Sequence, residues 1–334
     1  MGRCGNFLPY RAALDNRAGH ERLFRNLEAH IELKNVLKNK ALNGWSLFWL
    51  VSAPMSLIMV IAMMGRDMTS PEDVSHMIGF SVRWAVPFIF LVAATSSLQK
   101  LFPGPVPGWL LHNRKVTGLC FAVAMGWQGL FIFMMTNIHR GYYFEEIFFL
   151  RDELEGSTGY LFLAAMVVTS FKFGRKPLTS KQWRLLHLIG LYFLFAYAFS
   201  VYWWNLYYFE DPTPIDYVFY WMGFVAFTLR IAAWGSKRLK VAARNTPDAR
   251  VPAAFRALGG TLIAFGTVAA ATGLGWQEPV SGFLLTPAWS ANLELWLPFW
   301  PLEPFLPLFI IGLGTLLLTK VSTEPGLAGL SPGP

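Results

Sequence analysis

The sequence predicts an all-α, polytopic helical membrane protein of about eight transmembrane helices, and three observations carry that prediction. Of the 334 residues, 54% are hydrophobic and 14% are charged, against roughly a quarter charged in soluble globular domains. Apolar runs long enough to cross about 30 Å of hydrocarbon, near 20 residues at about 1.5 Å each, recur along most of the chain. The cations collect in alternate loops between those runs, the pattern that sets orientation in a membrane.

The first segment, residues 1–41, is basic. MGRCGNFLPYRAALDNRAGHERLFRN has no early apolar stretch followed by a small-residue cleavage site, so no cleavable signal peptide is expected and the first span acts as the insertion signal. Asn6 stands where an N-myristoylation motif needs Ser or Thr, so no lipid anchor is expected. Residues 16–40 space Leu23, Phe24, Leu27 and Ile31 at helical intervals among charges. That pattern predicts an amphipathic helix lying on the inner membrane surface or docking another subunit.

Spans follow near 44–64, 79–98, 116–136, 158–174, 184–204, 216–235, 255–275 and 304–320. The loops sort them by charge. Arg3, Arg11, Arg17, Arg22, Arg25, Lys34, Lys38 and Lys40 place the N-terminus in the cytoplasm. Lys100, Arg114 and Lys115, then Lys172, Arg175, Lys176, Lys181 and Arg184, then Lys237, Arg238, Lys240, Arg244 and Arg250 mark the other inner loops. The opposite loops carry Glu145, Glu146, Asp152, Glu153 and Glu155, or, over 277–303, no Lys or Arg. Both termini are thus expected inside the inner (cytoplasmic) membrane, with the lipid bilayer as the principal partner.

Between the second and third spans, LFPGPVPGW (101–109) is expected to be a kinked, non-helical connection. The outer segment QEPVSGFLLTPAWSANLELWLPFWPLE (277–303) has the composition of an interfacial aromatic belt, or of a lid or a contact surface for another subunit. AFRALGGTLIAFGTVAAATGLGW, with Gly259, Gly260 and Gly266, offers the small-residue surface along which membrane helices pack closely. The organisation read from these features is a cytoplasmic segment over 1–41, a membrane domain over 42–236 and two further spans within 237–334.

Composition also excludes functions. The formal charge of +8 is distributed among membrane loops, so nucleic acid is not an expected partner. Cys4 and Cys120 have no metal-site or disulfide-framework spacing. Nucleophile-elbow, Walker A, HExxH and histidine-box motifs are absent from the sequence, and no acidic residue falls mid-span to serve a proton relay. Arg83 and Arg230 lie within spans but near enough to an interface to snorkel. What remains is the histidine set: His20, His30, His76, His112, His139 and His187. Bis-histidine haem needs two imidazoles at one depth on neighbouring helices. His187 lies at the inner start of the fifth span, His112 just before the third, and His139 at the outer end of the third, too far from His187 to share one haem with it.

SVRWAVPFIFLVAATSSLQKLFPG, then NRKVTGL opening the third span, then GRKPLTSKQWRLLHLIGLYFLF resemble the ferric reductase-like transmembrane domain. The likeness is greatest to the bacterial branch that includes the haem-binding membrane subunit of the periplasmic methionine sulfoxide reductase system. It covers roughly residues 45–235, and its most specific piece is Trp183-Arg184-Leu185-Leu186-His187. The resemblance implies a six-helix bundle holding haem b between its third and fifth helices, passing electrons from a flavin or quinol donor to an acceptor across or outside the membrane. Carried over by position, His187 matches one family histidine, while the second histidine of the fifth helix falls on Ser200 and that of the third helix on Gln128. Neither Gln128 nor Ser200 is a normal axial ligand. Two functions follow: an accessory or assembly subunit on a degenerate scaffold with other membrane subunits as partners, or an electron-transfer oxidoreductase subunit with unusual ligation at His187, or His112 with His187, fed by a separate flavin or quinol donor.

Overall fold

The computed structural model describes residues 32–245 and 250–321. Leu23, Phe24, Leu27 and Ile31 of the expected surface helix lie outside them; of residues 16–40, 32–40 are described, and the helix among them covers 32–37. In chain order the main elements are α1 (Gly44–Met64), α2 (Pro71–Leu101), the short α3 (Pro105–His112), α4 (Arg114–Ile138), α5 (Leu150–Thr169), α6 (Ser180–Tyr207), α7 (Pro214–Asn245), α8 (Ala253–Ala271), the short α9 (Gln277–Leu285) and α10 (Ser290–Trp296), and α11 (Leu306–Leu318). No strand occurs among the described residues. Helices α1, α2, α4, α6, α7 and α8 are long and apolar enough to cross a membrane. The protein is an all-helical integral membrane protein.

The sixth expected span, 216–235, lies within the longer α7, which runs on to Asn245, and three other expectations shift for local reasons. The second span begins at Pro71 rather than 79, because Ser70 caps the helix through the Asp73 N–H (3.4 Å) and Glu72 and Asp73 occupy the first turn. The stretch expected to be a non-helical loop contains α3: Pro105 and Pro107 sit in its first turn, where the missing proline N–H breaks no helical hydrogen bond. The fourth expected span, 158–174, is the α5 helix, which starts at Leu150 with the polar stretch LRDELEG and stops at Thr169. Polarity at one end keeps α5 out of the six long apolar helices, and shortness does the same for α11, whose 13 residues rise about 20 Å.

Helix α2 is the hub, packing against α4, α6 and α7. Aromatic rings fill the space between α2, α6 and α7: Phe90 meets Phe195 edge-on at 5.1 Å, and Phe199 stacks on Tyr220 at 5.3 Å. Gly223 leaves the room they need, since a Cβ there would stand 2.8 Å from Phe90 and 2.9 Å from Phe199. Arg230 is drawn inward rather than snorkelling: its Nε donates to the Tyr192 hydroxyl (2.8 Å) and its Nη1 to the Ala93 carbonyl (2.9 Å), joining α7 to α6 and α2.

Helices α8 and α11 pack along each other. A Cβ on Gly259 would stand 2.7 Å from the Gly314 carbonyl oxygen, one on Gly314 would stand 2.7 Å from that of Gly259, and one on Gly266 would meet the Pro307 carbonyl at 2.7 Å. Small residues here allow backbone-to-backbone approach. Gly260, expected on the same surface, has open space around its Cβ direction and does not take part.

Candidate functional site

The head of α6 is fastened to the tail of α5 by the tryptophan and histidine singled out in the sequence. Trp183 and His187 are four residues apart, hence on one helical face, with ring centroids 4.4 Å from each other. The Trp183 indole N–H donates to the Thr169 carbonyl (3.0 Å), and His187 Nε2 lies 3.0 Å from the Thr169 hydroxyl. That hydroxyl donates to the Ala165 carbonyl at 2.6 Å. With its proton committed, it accepts from His187, which makes Nε2 the protonated nitrogen and leaves Nδ1 as the free acceptor.

His187 lines a cavity of about 530 Å³ between α2, α4, α5 and α6. The walls are apolar, including Leu119, Leu163, Val167 and Leu191, while Arg114, Lys115, Arg175 and Arg184 gather at one end. The Arg175 guanidinium sits over the Trp183 ring at 4.7 Å and Lys115 over Phe171 at 5.0 Å. A second cavity, about 280 Å³, continues along α2, α4 and α6; Phe121 and Leu194 border both. Arg83, Gln128, Tyr202 and Asn205 give it polar points.

Of the two positions that the resemblance assigns to haem ligands, one borders the second cavity and the other does not. Gln128 lines the second cavity, where its Oε1 accepts from the Tyr160 hydroxyl (3.0 Å). Across from it α6 presents Ala198, Val201 and Tyr202. Ser200 is 1% exposed, its hydroxyl has no hydrogen-bond partner, and it does not border that cavity. At about 100° per residue, His187, Leu194, Ala198, Val201 and Asn205 share one face of α6, and Ser200 lies roughly 130° round from it.

The remaining histidines are dispersed. His112 is exposed at the end of α3. His139 sits past the far end of α4 with Nε2 3.3 Å from the Met68 carbonyl oxygen, and His76 Nε2 lies 3.2 Å from Arg66. No cluster of three or more His, Cys, Asp or Glu suited to a metal occurs among the described residues. The donors at the expected haem positions, a tyrosine-bonded amide and an inward-turned hydroxyl, do not fit bis-histidine haem b.

Two buried carboxylates, Glu303 and Glu155, mark the opposite end of the bundle. Glu303 is 1% exposed and its Oε1 accepts from the Trp203 indole (3.2 Å) and the Tyr208 hydroxyl (2.5 Å). Glu155, also buried, takes the Phe299 N–H at 2.9 Å, Trp300 donates to Ser290 at 2.8 Å, and Arg151 reaches Glu294 at 3.5 Å. Segment 277–303 is therefore docked on the helix ends rather than being only a belt of aromatic side chains. An acidic residue between prolines in PLEP, in a segment without cations, was the available signal.

The chain matches no protein-family model, no curated protein and no solved structure with which it was compared.

Proposed function

We propose that the protein is a multi-pass subunit of a membrane complex, built on a ferric-reductase-like bundle that no longer holds the bis-histidine haem. The observation that carries this is the composition of the α6 face opposite Gln128, where Ala198, Val201 and Tyr202 stand and no imidazole does. A scaffold that keeps inter-helix cavities without axial ligands is suited to assembly or to holding a small apolar molecule.

Eight crossings with both termini cytoplasmic belong to the same proposal. The starts of α4 and α6 share the basic cavity end, so the chain returns between them, and α5 is the helix available to do it. Likewise Arg238 near the end of α7 donates to Thr319 at the end of α11 (3.0 Å), while Tyr207 at the end of α6 donates to Ala270 at the end of α8 (2.7 Å). The cation-rich ends then face the cytoplasm of the inner membrane. Reporter fusions at the inner and outer loops test this orientation: a periplasmic signal from the 170–180 loop contradicts it.

A second reading, electron transfer from a separate flavin or quinol donor through a cofactor ligated at His187, draws on the placement of that imidazole in the larger cavity. Purification from native membranes separates the two. The subunit reading expects a colourless protein that arrives with other membrane polypeptides; a haem b difference spectrum abolished by His187→Ala supports the redox reading instead.

A further inference from the structure

We propose that the 530 Å³ cavity is a binding site for an anionic phospholipid, with the phosphate held by Arg114, Lys115, Arg175 and Arg184. Three elements contribute these cations: the first turn of α4, the α5–α6 connection and the first turns of α6. All four line the same end of one cavity, whose lining includes no carboxylate. Among the described residues none of the four makes an ion pair. Four positive groups at one mouth, with no carboxylate among the described residues that line it, are a cost to the fold that an anion relieves.

The anion carries a long apolar tail, because apart from Thr169, Ser170 and His187 the lining behind the cations is apolar. Next to the cavity runs a groove of about 520 Å³ between α1, α4 and α5, bordered by Trp45, Phe48 and Phe171. Leu119, Leu163 and Val167 border both spaces. A charged head at the mouth with one chain in the cavity and another along the groove is the geometry of a two-chain lipid. Planar guanidinium groups match phosphate oxygens in pairs, and stacking of Arg175 on Trp183 holds one fork in place. Basic pockets between membrane helices near the cytoplasmic face recognise acidic head groups on this principle.

The test uses the full chain, delipidated in mild detergent and titrated with phosphatidylglycerol, phosphatidylcholine or inorganic phosphate, with bound lipid read by native mass spectrometry. Phosphatidylglycerol is expected to bind at about one per chain and phosphatidylcholine not to compete. The combined Arg114→Gln, Arg175→Gln and Arg184→Gln variant should bind it roughly a hundredfold more weakly, while Lys240→Gln with Arg244→Gln should not change binding. If the triple variant fails to fold, Arg175→Gln alone, in the connection outside the helices of the core, carries the same test with a smaller expected loss. Equal retention of both lipids, or undiminished binding by the charge variants, overturns the proposal. Displacement of phosphatidylglycerol by inorganic phosphate also overturns it, in favour of a free-anion site. None of these outcomes depends on whether haem is present.

Discussion

His187 Nε2 stands 3.0 Å from the Thr169 hydroxyl, and the carbonyl of that same threonine takes the Trp183 indole N–H at 3.0 Å. A motif that looks like a ligand signature thus also clasps α5 to α6. Replacing His187 by Phe keeps the ring against Trp183 and removes one hydrogen bond. The expected loss is about 1 kcal/mol of thermal stability, measured by unfolding in detergent, with no change in visible absorbance.

Arg230 joins three helices through Tyr192 and the Ala93 carbonyl. Arg230→Ala is expected to cost about 1–2 kcal/mol, and Tyr192→Phe about half of that, since intramembrane hydrogen bonds are modest individually. Equal melting temperatures for Arg230→Ala and the parent protein would show that the arginine snorkels.

The α8–α11 contact makes a paired prediction. Gly259→Leu forces a side chain into the Gly314 backbone and should cost about 1–3 kcal/mol or break monodispersity on size exclusion. Gly260→Leu, one residue along, meets open space and should be tolerated.

At the other end, Glu303→Ala strands the Trp203 and Tyr208 donors and is expected to cost about 1–3 kcal/mol, whereas Glu303→Gln keeps an acceptor and should cost less. The same contact has an alkaline signature. Burial, and then the Glu303 carboxylate, push the Tyr208 hydroxyl up to about 12. A raised phenol pKa means the folded state keeps the proton longer, so this contribution is intact below the ordinary value near 10 and fades as pH rises towards about 12. Because Tyr208 is half-exposed, the slope should be shallow; a Tyr208→Phe variant should lack it in the pH dependence of melting temperature.

Hydropathy alone was enough to find the long helices, because a run such as GWSLFWLVSAPMSLIMVIAMM has one physical use. It placed α5 poorly, since LRDELEG is polar yet helical: Glu155 is buried by a segment more than a hundred residues later, which no local pattern announces. The pairing of Gly259 with Gly314 and the exclusion of Gly260 likewise depend on helix rotation against a neighbour. His187 was visible in the sequence, but its partner Thr169 was not, and counting thirteen residues along α6 led to Ser200 although the cavity face carries Val201. The cavity itself was legible only as its cations, which as sequence read solely as topology signals.

The most direct measurement is a reduced-minus-oxidised absorption spectrum of the full chain purified from native membranes, with haem quantified against protein. The account predicts no b-type haem bands at stoichiometric level, from the parent protein or from His187→Ala alike. A stoichiometric haem b spectrum that disappears in His187→Ala would contradict it.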